Sequence, residues 1–406
     1  MKKILILFLA GNPLVLFAQN VGIGTPAPLS RLHVEQGSVL FKGPTNLPVT
    51  AAPVPLSGAG TRLMWYPDKG AFRAGTVGGG AWDSDSIGRY SLAVGLDTRA
   101  AGYGSVALGA SSTATGASAI AIGISNSASG ENSTAIGSNC SATGFFSLAM
   151  GSSSSATGQQ SISIGRVNKA TGVNAVALGA LNTSSGSSSV AIGRSCEATG
   201  ENSFAIGSFI STSGYTGAFA LGDASTSTVM ESFVANGFRS RFAGGYRLFT
   251  NSATTIGAFL NANANSWAAL SDIRMKENFL PVDGEAFLKK IAAMPQVSWN
   301  YIGQDAKTLR HYGPMAQDFY EAFGRDSIGE IGCDTLINQQ DFLGVNLIAI
   351  QALEKRTEKI ELLEKKAEQQ EKKMEKLEKE NALLKEQMHA LLAAIKAGRG
   401  TGKITE

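Results

Sequence analysis

The strongest constraint on the fold is a 14-residue period that runs from residue 91 to residue 222. Glycines recur at this interval in one column, and only the last step is 15 residues long. A second glycine column lies half a period later. A fixed period is typical of a solenoid, in which each repeat forms one coil that stacks on the previous coil. The first column is Gly95, Gly109, Gly123, Gly137, Gly151, Gly165, Gly179, Gly193, Gly207 and Gly222, and the second is Gly102, Gly116, Gly130, Gly144, Gly158, Gly172, Gly186, Gly200 and Gly214.

Each repeat carries a small residue between two apolar ones just before the first-column glycine, as in Val106-Ala107-Leu108. This alternation predicts a short strand with an apolar face and an alanine face. The second-column glycines predict turns with positive φ. Fourteen residues are too few for a strand and a helix, so we expect a mainly β solenoid whose parallel coils each contain two short strands. We expect the apolar side chains inside the coil, and the alanine face joining separate chains, because exposed apolar stripes usually mark interfaces.

The repeated Ser-x-Ala-Ile-Gly and Ala-Thr-Gly units resemble the head repeats of trimeric autotransporter adhesins. The resemblance implies a left-handed parallel β-roll built as a homotrimer. It also implies a fibre or adhesin-like surface protein, and leaves the ligand open between a host-cell or surface glycan, a protein, or none. Those adhesins end in a membrane anchor, whereas this chain ends in a charged helical segment, so we expect no transmembrane anchor.

The N-terminus predicts export. Met1-Lys2-Lys3 and the apolar run from Ile4 to Ala18 resemble a secretory signal, with cleavage near Ala18–Gln19. The run is shorter than the ~20 residues that span a bilayer. The net charge of +3 is small, and most basic residues lie beside acids in the C-terminal third. We therefore expect no nucleic-acid partner.

The cysteines do not predict a disulfide framework. Cys140 and Cys196 occupy the same phase of the repeat four coils apart, beyond disulfide reach within one chain, and Cys333 lies elsewhere. We favour buried thiols, and pairing between chains at one level of a trimer is the alternative. His33 has no partner ligand nearby, and the repeats hold no recurrent acid pair or phosphate loop. No metal, cofactor or glycan-hydrolase site is therefore expected.

One constellation indicates a reaction. Ser271 lies five residues before Lys276. A serine becomes a nucleophile when a base takes its proton, and a lysine amine can be that base when burial or neighbouring cations lower its pKa. Arg274 is a candidate for the cation. Because this spacing is common, a turn with a solvated lysine remains open on the residues alone.

A wider match surrounds this pair. Residues 271–278 are similar to the start of the intramolecular chaperone domain of endosialidase-type tail spikes, which also occurs in myelin regulatory factors. The similarity continues to about Leu353. It passes through a helix begun near Asp283 and stopped by Pro295, an alternating strand at residues 297–301, and an Ala-Gln segment at residues 310–318.

The second resemblance implies a trimeric folding aid that cuts its own chain once. The cut would fall at the Leu270–Ser271 bond, with Ser271 as the nucleophile and Lys276 as the general base. Asp272, His311 and Gln317 are weaker candidates for the site. The implied enzyme is at most a single-turnover serine peptidase that has no other substrate.

A heptad pattern from Leu353 to Ile395, flanked by Glu and Lys, predicts a coiled coil that holds chains together. Asn381 at a core position would fix its register. The a positions are Leu353, Ile360, Ala367, Met374, Asn381, Met388 and Ile395, and the d positions are Arg356, Leu363, Gln370, Leu377, Leu384 and Leu391.

These features predict a secreted homotrimeric fibre whose C-terminal domain drives assembly and then cuts itself off. The alternatives are a structural fibre with an uncut C-terminal clamp and a prophage tail fibre, against which the signal peptide argues. The predicted order is a signal peptide (1–18), a β-rich entry (19–90), the repeat head (91–222), a β connector (223–270), a small α+β chaperone domain (271–352), a trimeric coiled coil (353–396) and a tail (397–406).

Overall fold

The computed structural model describes residues 20–398, which form two compact units divided after Tyr246. The predicted signal peptide and its Ala18–Gln19 cleavage site lie outside the described residues, as does nearly all of the predicted tail. The predicted fold class is confirmed: a mainly β parallel solenoid is followed by a small α+β region and a C-terminal helix.

The first unit begins with two small pairs of strands. Strand β1 (Val21–Ile23) pairs in parallel with β2 (Leu32–Val34), and β3 (Gly60–Tyr66) forms an antiparallel hairpin with β4 (Ala71–Val77). Strand β4 then pairs in parallel with the first strand of the repeats. The hairpin therefore forms the first layer on which the coils stack.

The coils alternate a long strand with a two-residue strand, as the 14-residue period predicts. Equivalent residues pair in register from coil to coil, for example Ala107 with Ala121 and Gly109 with Gly123. The long strands extend a 13-stranded sheet and the short strands form a 10-stranded sheet. In chain order the strands are β5 (Leu92–Leu96), β6 (Arg99–Ala100), β7 (Val106–Ala110), β8 (Thr113–Ala114), β9 (Ile120–Ile124), β10 (Ser127–Ala128), β11 (Thr134–Ser138), β12 (Ser141–Ala142), β13 (Leu148–Ser152), β14 (Ser155–Ala156), β15 (Ile162–Arg166), β16 (Lys169–Ala170), β17 (Val176–Ala180), β18 (Thr183–Ser184), β19 (Val190–Arg194), β20 (Glu197–Ala198), β21 (Phe204–Ser208), β22 (Ile210–Ser211) and β23 (Phe219–Gly222).

The two faces of the long strands are the reverse of those expected. Ala107 and Ala121 are completely buried inside the coil, facing the equally buried Ala114 and Ala128 of the short strands. The flanking Val106 and Leu108 point outward and are only partly covered. The expectation that chains associate through the alanine face is therefore wrong. Where the two strands of a coil face each other, the interior side chains are mostly alanine, with serine at Ser163 and Ser184, which leaves the larger apolar residues of the long strands on the outside.

The second-column positions also require glycine for a different reason from the one expected. Gly116 does not adopt positive φ, but a Cβ there would lie 2.1 Å from the carbonyl oxygen of Gly130 in the next coil. Close stacking of backbones therefore excludes a side chain. Positive φ occurs instead in the first column up to Gly207, as at Gly109 (φ +109°), and at non-glycine turn residues such as Ser111 and Ser118. In the second column only Gly214 has positive φ (+80°).

Buried polar side chains inside the coil form hydrogen bonds with the backbone groups of the turns. The Asn182 amide nitrogen donates to the carbonyls of Leu178 (2.7 Å) and Gly193 (2.8 Å), and its oxygen accepts from the backbone of Cys196 (2.9 Å). Cys140 and Cys196 occupy the same interior column as unpaired thiols, and burial raises the pKa of Cys196. The prediction of buried thiols is confirmed for Cys140 and Cys196, whereas Cys333 is exposed. Pairing between chains is excluded because both side chains point into their own coil.

A buried arginine closes the N-terminal end of the solenoid. Arg73 of β4 pairs in register with Ala93, so its side chain occupies the start of the interior alanine column. Its guanidinium donates to the Ser91 hydroxyl at 2.8 Å and to the carbonyl of Ala100 at 2.9 Å. Burial lowers the pKa of Arg73 to about 10. Beside it, the fully buried Trp82 indole donates to the carbonyl of Thr98 at 2.8 Å.

Parallel stacking continues beyond the last repeat. Strand β24 (Met230–Glu231) extends the short-strand sheet and β25 (Phe238–Arg241) extends the long-strand sheet. Between these two strands, Asn236 takes a left-handed turn conformation (φ +56°). Strand β26 (Gly245–Phe249), β27 (Gly257–Asn261) and β28 (Ala268–Ala269) then form a three-stranded sheet.

The second unit also contains three helices and a small hairpin. Helix α1 (Gly284–Ala293) begins as predicted after Asp283, whose carboxylate accepts the backbone N–H of Glu285 at 2.9 Å. Strands β29 (Val297–Trp299) and β30 (His311–Gly313) pair antiparallel before α2 (Ala316–Phe323) and α3 (Gln339–Gly398). Phe319 and Phe323 of α2 pack on the start of α3. Residues 353–397 of α3 are exposed along their whole length, including the predicted heptad core.

Candidate active site

Ser271 lies where the chain leaves the three-stranded sheet of the second unit. Strand β28 ends at Ala269, and its two residues pair with Ala258 and Phe259 of β27. The backbone N–H of Leu270 still donates to the carbonyl of Gly257 at 3.4 Å. The sheet therefore holds the residue before the Leu270–Ser271 peptide bond, whereas the residue after it has left the sheet.

A short turn brings Lys276 back to Ser271. Residues 273–275 form one 3₁₀ turn, and the carboxylate of Asp272 caps it by accepting the backbone N–H of Arg274 at 2.9 Å. Lys276 follows in an extended conformation, and its Nζ donates to Oγ of Ser271 at 2.7 Å. The five-residue spacing thus closes the serine–lysine contact that nucleophilic catalysis requires.

Arg274 and Asp272, which lie between Ser271 and Lys276 in the chain, form an ion pair with each other. Nε of Arg274 lies 3.1 Å from both carboxylate oxygens of Asp272. The hydrogen bonds from Arg274 lower the pKa of Asp272, and the same bonds raise the pKa of Arg274. The positive charge expected to act on Lys276 is therefore compensated by Asp272, whose carboxylate shapes the turn and, among the described hydrogen bonds, does not bond to the Ser271 hydroxyl.

A cleft of about 610 Å³ surrounds the serine and the peptide bond before it. It brings together residues of the sheet, the motif and the start of α3. Asn338 and Gln340 belong to it and were not identified from the sequence. The only local signal for Asn338 is that its side chain accepts the backbone N–H of Gln340 at 2.8 Å at the start of a helix. The lining residues are Leu248, Thr250, Thr255, Ile256, Gly257, Ala258, Ala269, Leu270, Ser271, Met275, Lys276, Asn338 and Gln340.

His311 and Gln317 are not brought to this cleft. The His311 ring stacks on Trp299 with centroids 4.7 Å apart, and its Nε2 lies 3.3 Å from the Gln304 side-chain oxygen. Gln317 lies in the first turn of α2. Among the described hydrogen bonds, neither residue bonds to Ser271 or Lys276. His311 therefore packs in the small hairpin in this conformation of a single chain.

No group of three or more His, Cys, Asp or Glu side chains is placed to hold a metal ion among residues 20–398. In the same residues, no helix combines the length and the apolar character needed to cross a membrane.

Comparison with protein families confirms both resemblances. The YadA head domain repeat (two copies) matches residues 86–112, 114–139, 142–166, 170–195 and 197–209. The family described as chaperone of endosialidase matches residues 271–326, a range that begins at Ser271. A comparison with curated proteins gave no match. The chain thus joins a segment similar to an adhesin head to a segment similar to a tail-spike chaperone.

Proposed function

We propose that this chain is a secreted, homotrimeric, adhesin-like surface fibre whose C-terminal chaperone domain drives trimer assembly and cleaves itself off at Leu270–Ser271. The observation that carries the cleavage is the 2.7 Å hydrogen bond from Lys276 Nζ to Ser271 Oγ, next to the peptide bond to be cut. The two family matches support the fibre and the chaperone.

The reaction begins when neutral Lys276 takes the hydroxyl proton of Ser271. Oγ attacks the carbonyl carbon of Leu270, and the bond from that carbon to the Ser271 nitrogen breaks. The proton passes from Lys276 to this nitrogen, which leaves as a free amine. An ester then joins Leu270 to Oγ of Ser271. Water hydrolyses the ester, so the fibre ends in the Leu270 carboxylate and the released domain begins with intact Ser271.

Exposure of the two catalytic side chains links cleavage to assembly. Ser271 and Lys276 are both exposed in the single chain. A lysine becomes an effective base when it is withdrawn from water. Packing of neighbouring chains over the cleft would supply that desolvation, so cleavage would follow trimer formation.

The trimer is supported by apolar surface that one chain leaves uncovered. The outward side chains of the long strands form a continuous stripe along ten coils, including Val106, Leu108, Ile120 and Ile122. The heptad core of α3 is likewise exposed. Burial of such surface against other copies is strongly favourable, at roughly 25 cal/mol per Å².

A C-terminal domain that joins three chains would make it easier for the rod to fold. Parallel pairing of strands from different regions is slow because the loop entropy is lost before contacts form. Joining three chains through the coiled coil raises their local concentration and aligns their repeats. The domain is then no longer needed, which accounts for its removal.

The proposal is tested by the intact mass and N-termini of the purified product. Wild type should give two fragments meeting at Leu270–Ser271, and the Ser271→Ala variant should stay at full length. Ser266→Ala, which changes an exposed serine outside the cleft, should cleave as wild type does. Full-length wild type after assembly would contradict self-cleavage.

A structural fibre with an uncut C-terminal clamp is the second candidate, and the exposure of Ser271 and Lys276 favours it. In that case wild type and Ser271→Ala have the same mass, and both sediment as trimers.

A further inference from the structure

Four charged residues of the repeats lie at opposite ends of the long strands. Arg166 and Arg194 are the last residues of β15 and β19. Glu131 and Glu201 lie in the turns just before β11 and β21. All four are exposed, and among residues 20–398 none of them forms an ion pair. The outward apolar stripe is therefore bordered by an arginine edge (Arg166, Arg194) and a glutamate edge (Glu131, Glu201).

Both edges also expose large apolar side chains. Leu96 and Ile124 end long strands on the arginine edge, and Tyr103 and Phe145 occupy the turns of the glutamate edge. Exposed apolar residues on the stripe and on both of its borders indicate an interface that wraps around all three surfaces. A partner that covered the stripe alone would leave the borders in water.

A second copy of the chain fits these surfaces in one orientation. Copies arranged side by side about an axis parallel to the rod bring the arginine edge of each copy to the glutamate edge of the next. An antiparallel pair would bring arginine to arginine and glutamate to glutamate. In a closed ring every interface is equivalent and heterologous, so the same charge contact repeats at each junction. Charge complementarity therefore selects a parallel ring.

The period identifies which residues meet. Arg194 and Glu201 are seven residues apart, which is half a coil. A full coil rises by about 4.8 Å, so half a coil rises by about 2.4 Å. Copies in a closed ring have no axial step between them. Arg194 of one copy and Glu201 of the next therefore differ in height by only this half step, which two long side chains can bridge. The same seven-residue offset places Arg166 of one copy beside Gln159 or Val173 of the next copy. Neither of these side chains is charged, so neither can form an ion pair with Arg166.

We propose that Arg194 forms an ion pair with Glu201 of the neighbouring copy, and that this contact fixes the parallel register of the head. The inference rests on the homotrimer of the proposed function and adds the contact that aligns it. Like most exposed ion pairs it contributes more to the choice of orientation and register than to affinity.

The first test is a charge swap in the full-length chain. Arg194→Glu and Glu201→Arg should each lower the melting temperature of the head, and the double variant should recover most of the loss. Lys169→Glu is the matched control, since this lysine lies on the short-strand sheet away from the stripe, and it should melt as wild type does. A double variant as unstable as the two losses combined would overturn the pairing.

The second test is chemical cross-linking. With the exposed Cys333 replaced by serine, an Arg194→Cys, Glu201→Cys variant treated with a short bifunctional maleimide should give covalent trimers. Lys169→Cys with Glu201→Cys should not. A wild type that sediments as a folded single chain would contradict the proposed function itself. A trimeric wild type whose Arg194→Cys, Glu201→Cys variant does not cross-link would contradict only this contact.

Discussion

Arg356 of α3 holds Glu285 of α1 through Nε, which lies 3.0 and 2.9 Å from the two carboxylate oxygens. These bonds lower the pKa of Glu285 and raise the pKa of Arg356. Arg356 occupies the first d position of the predicted heptad. Arg356 is one of three polar residues in the heptad core, with Gln370 and Asn381, and its contact with α1 accounts for it.

The contact between α1 and α3 should weaken in acid. A carboxyl whose folded-state pKa is lowered contributes stability above its ordinary value of 4.5, and that contribution is lost as the pH falls through the lowered value. We expect amide exchange in α1, corrected for the intrinsic rate, to accelerate in this window and in Glu285→Gln at neutral pH. Glu277→Gln serves as the control. Because the pair is exposed, the change should be small, and equal exchange in Glu285→Gln and wild type would exclude any contribution.

Cleavage should depend on the base and not on the positive charge of Lys276. Lys276→Met removes both, whereas Lys276→Arg keeps the charge on a group that does not lose its proton. Both variants should slow cleavage at least ~10²-fold, followed on a denaturing gel after trimer assembly. Lys289→Met, an exposed lysine of α1, should cleave normally. Normal cleavage by Lys276→Arg would show that the lysine only positions the serine.

Two glycines in equivalent turns of successive coils should respond differently to alanine. A Cβ at Gly116 would lie 2.1 Å from the carbonyl oxygen of Gly130, so Gly116→Ala should cost about 3 kcal/mol or more. Gly104 has φ +63° but its nearest neighbour would be 3.7 Å away, so Gly104→Ala should cost about 1–2 kcal/mol. Denaturant unfolding compares them. Equal losses of stability would mean that backbone conformation, and not the stacking of coils, determines where glycine is required.

One turn residue is poorly suited to its conformation. Val167 adopts φ +56°, a left-handed geometry that is unfavourable for a β-branched side chain, whereas Asn139 holds the same place in another coil with the same φ. Val167→Asn should stabilise the head by about 1 kcal/mol, and Asn139→Val should destabilise it by a similar amount. The two variants are best compared in one thermal unfolding series. Changes of the same sign would contradict the argument.

The repeats allowed the strands, their register and the solenoid to be predicted, but not which face is inside. Alternation in Val106-Ala107-Leu108 identifies two faces and says nothing about the distance between the sheets. That distance follows from how tightly turns such as residues 111–112 fold each long strand back over its short strand, which is a property of the folded coil. Alanine is inside because the gap is narrow, although valine is the more hydrophobic residue.

The candidate site could be predicted only where its parts are close in the chain. Ser271 and Lys276 are five residues apart, and one short turn is enough to join them. Asn338 and Gln340 reach the same cleft from the start of α3, and no local pattern links them to the motif. His311 and Gln317 were candidates through resemblance alone, and the single chain places them outside the cleft.

Arg73 has a consequence for how long the fibre can grow. The row of small side chains inside the coils ends at a guanidinium that is completely buried and hydrogen-bonded. Strand β3 pairs antiparallel with the outer side of β4, so no parallel coil of another molecule can pair with β4 there. End-to-end polymerisation is thereby discouraged. The length of the rod is then set by the number of repeats in one chain, and the particle has a defined tip.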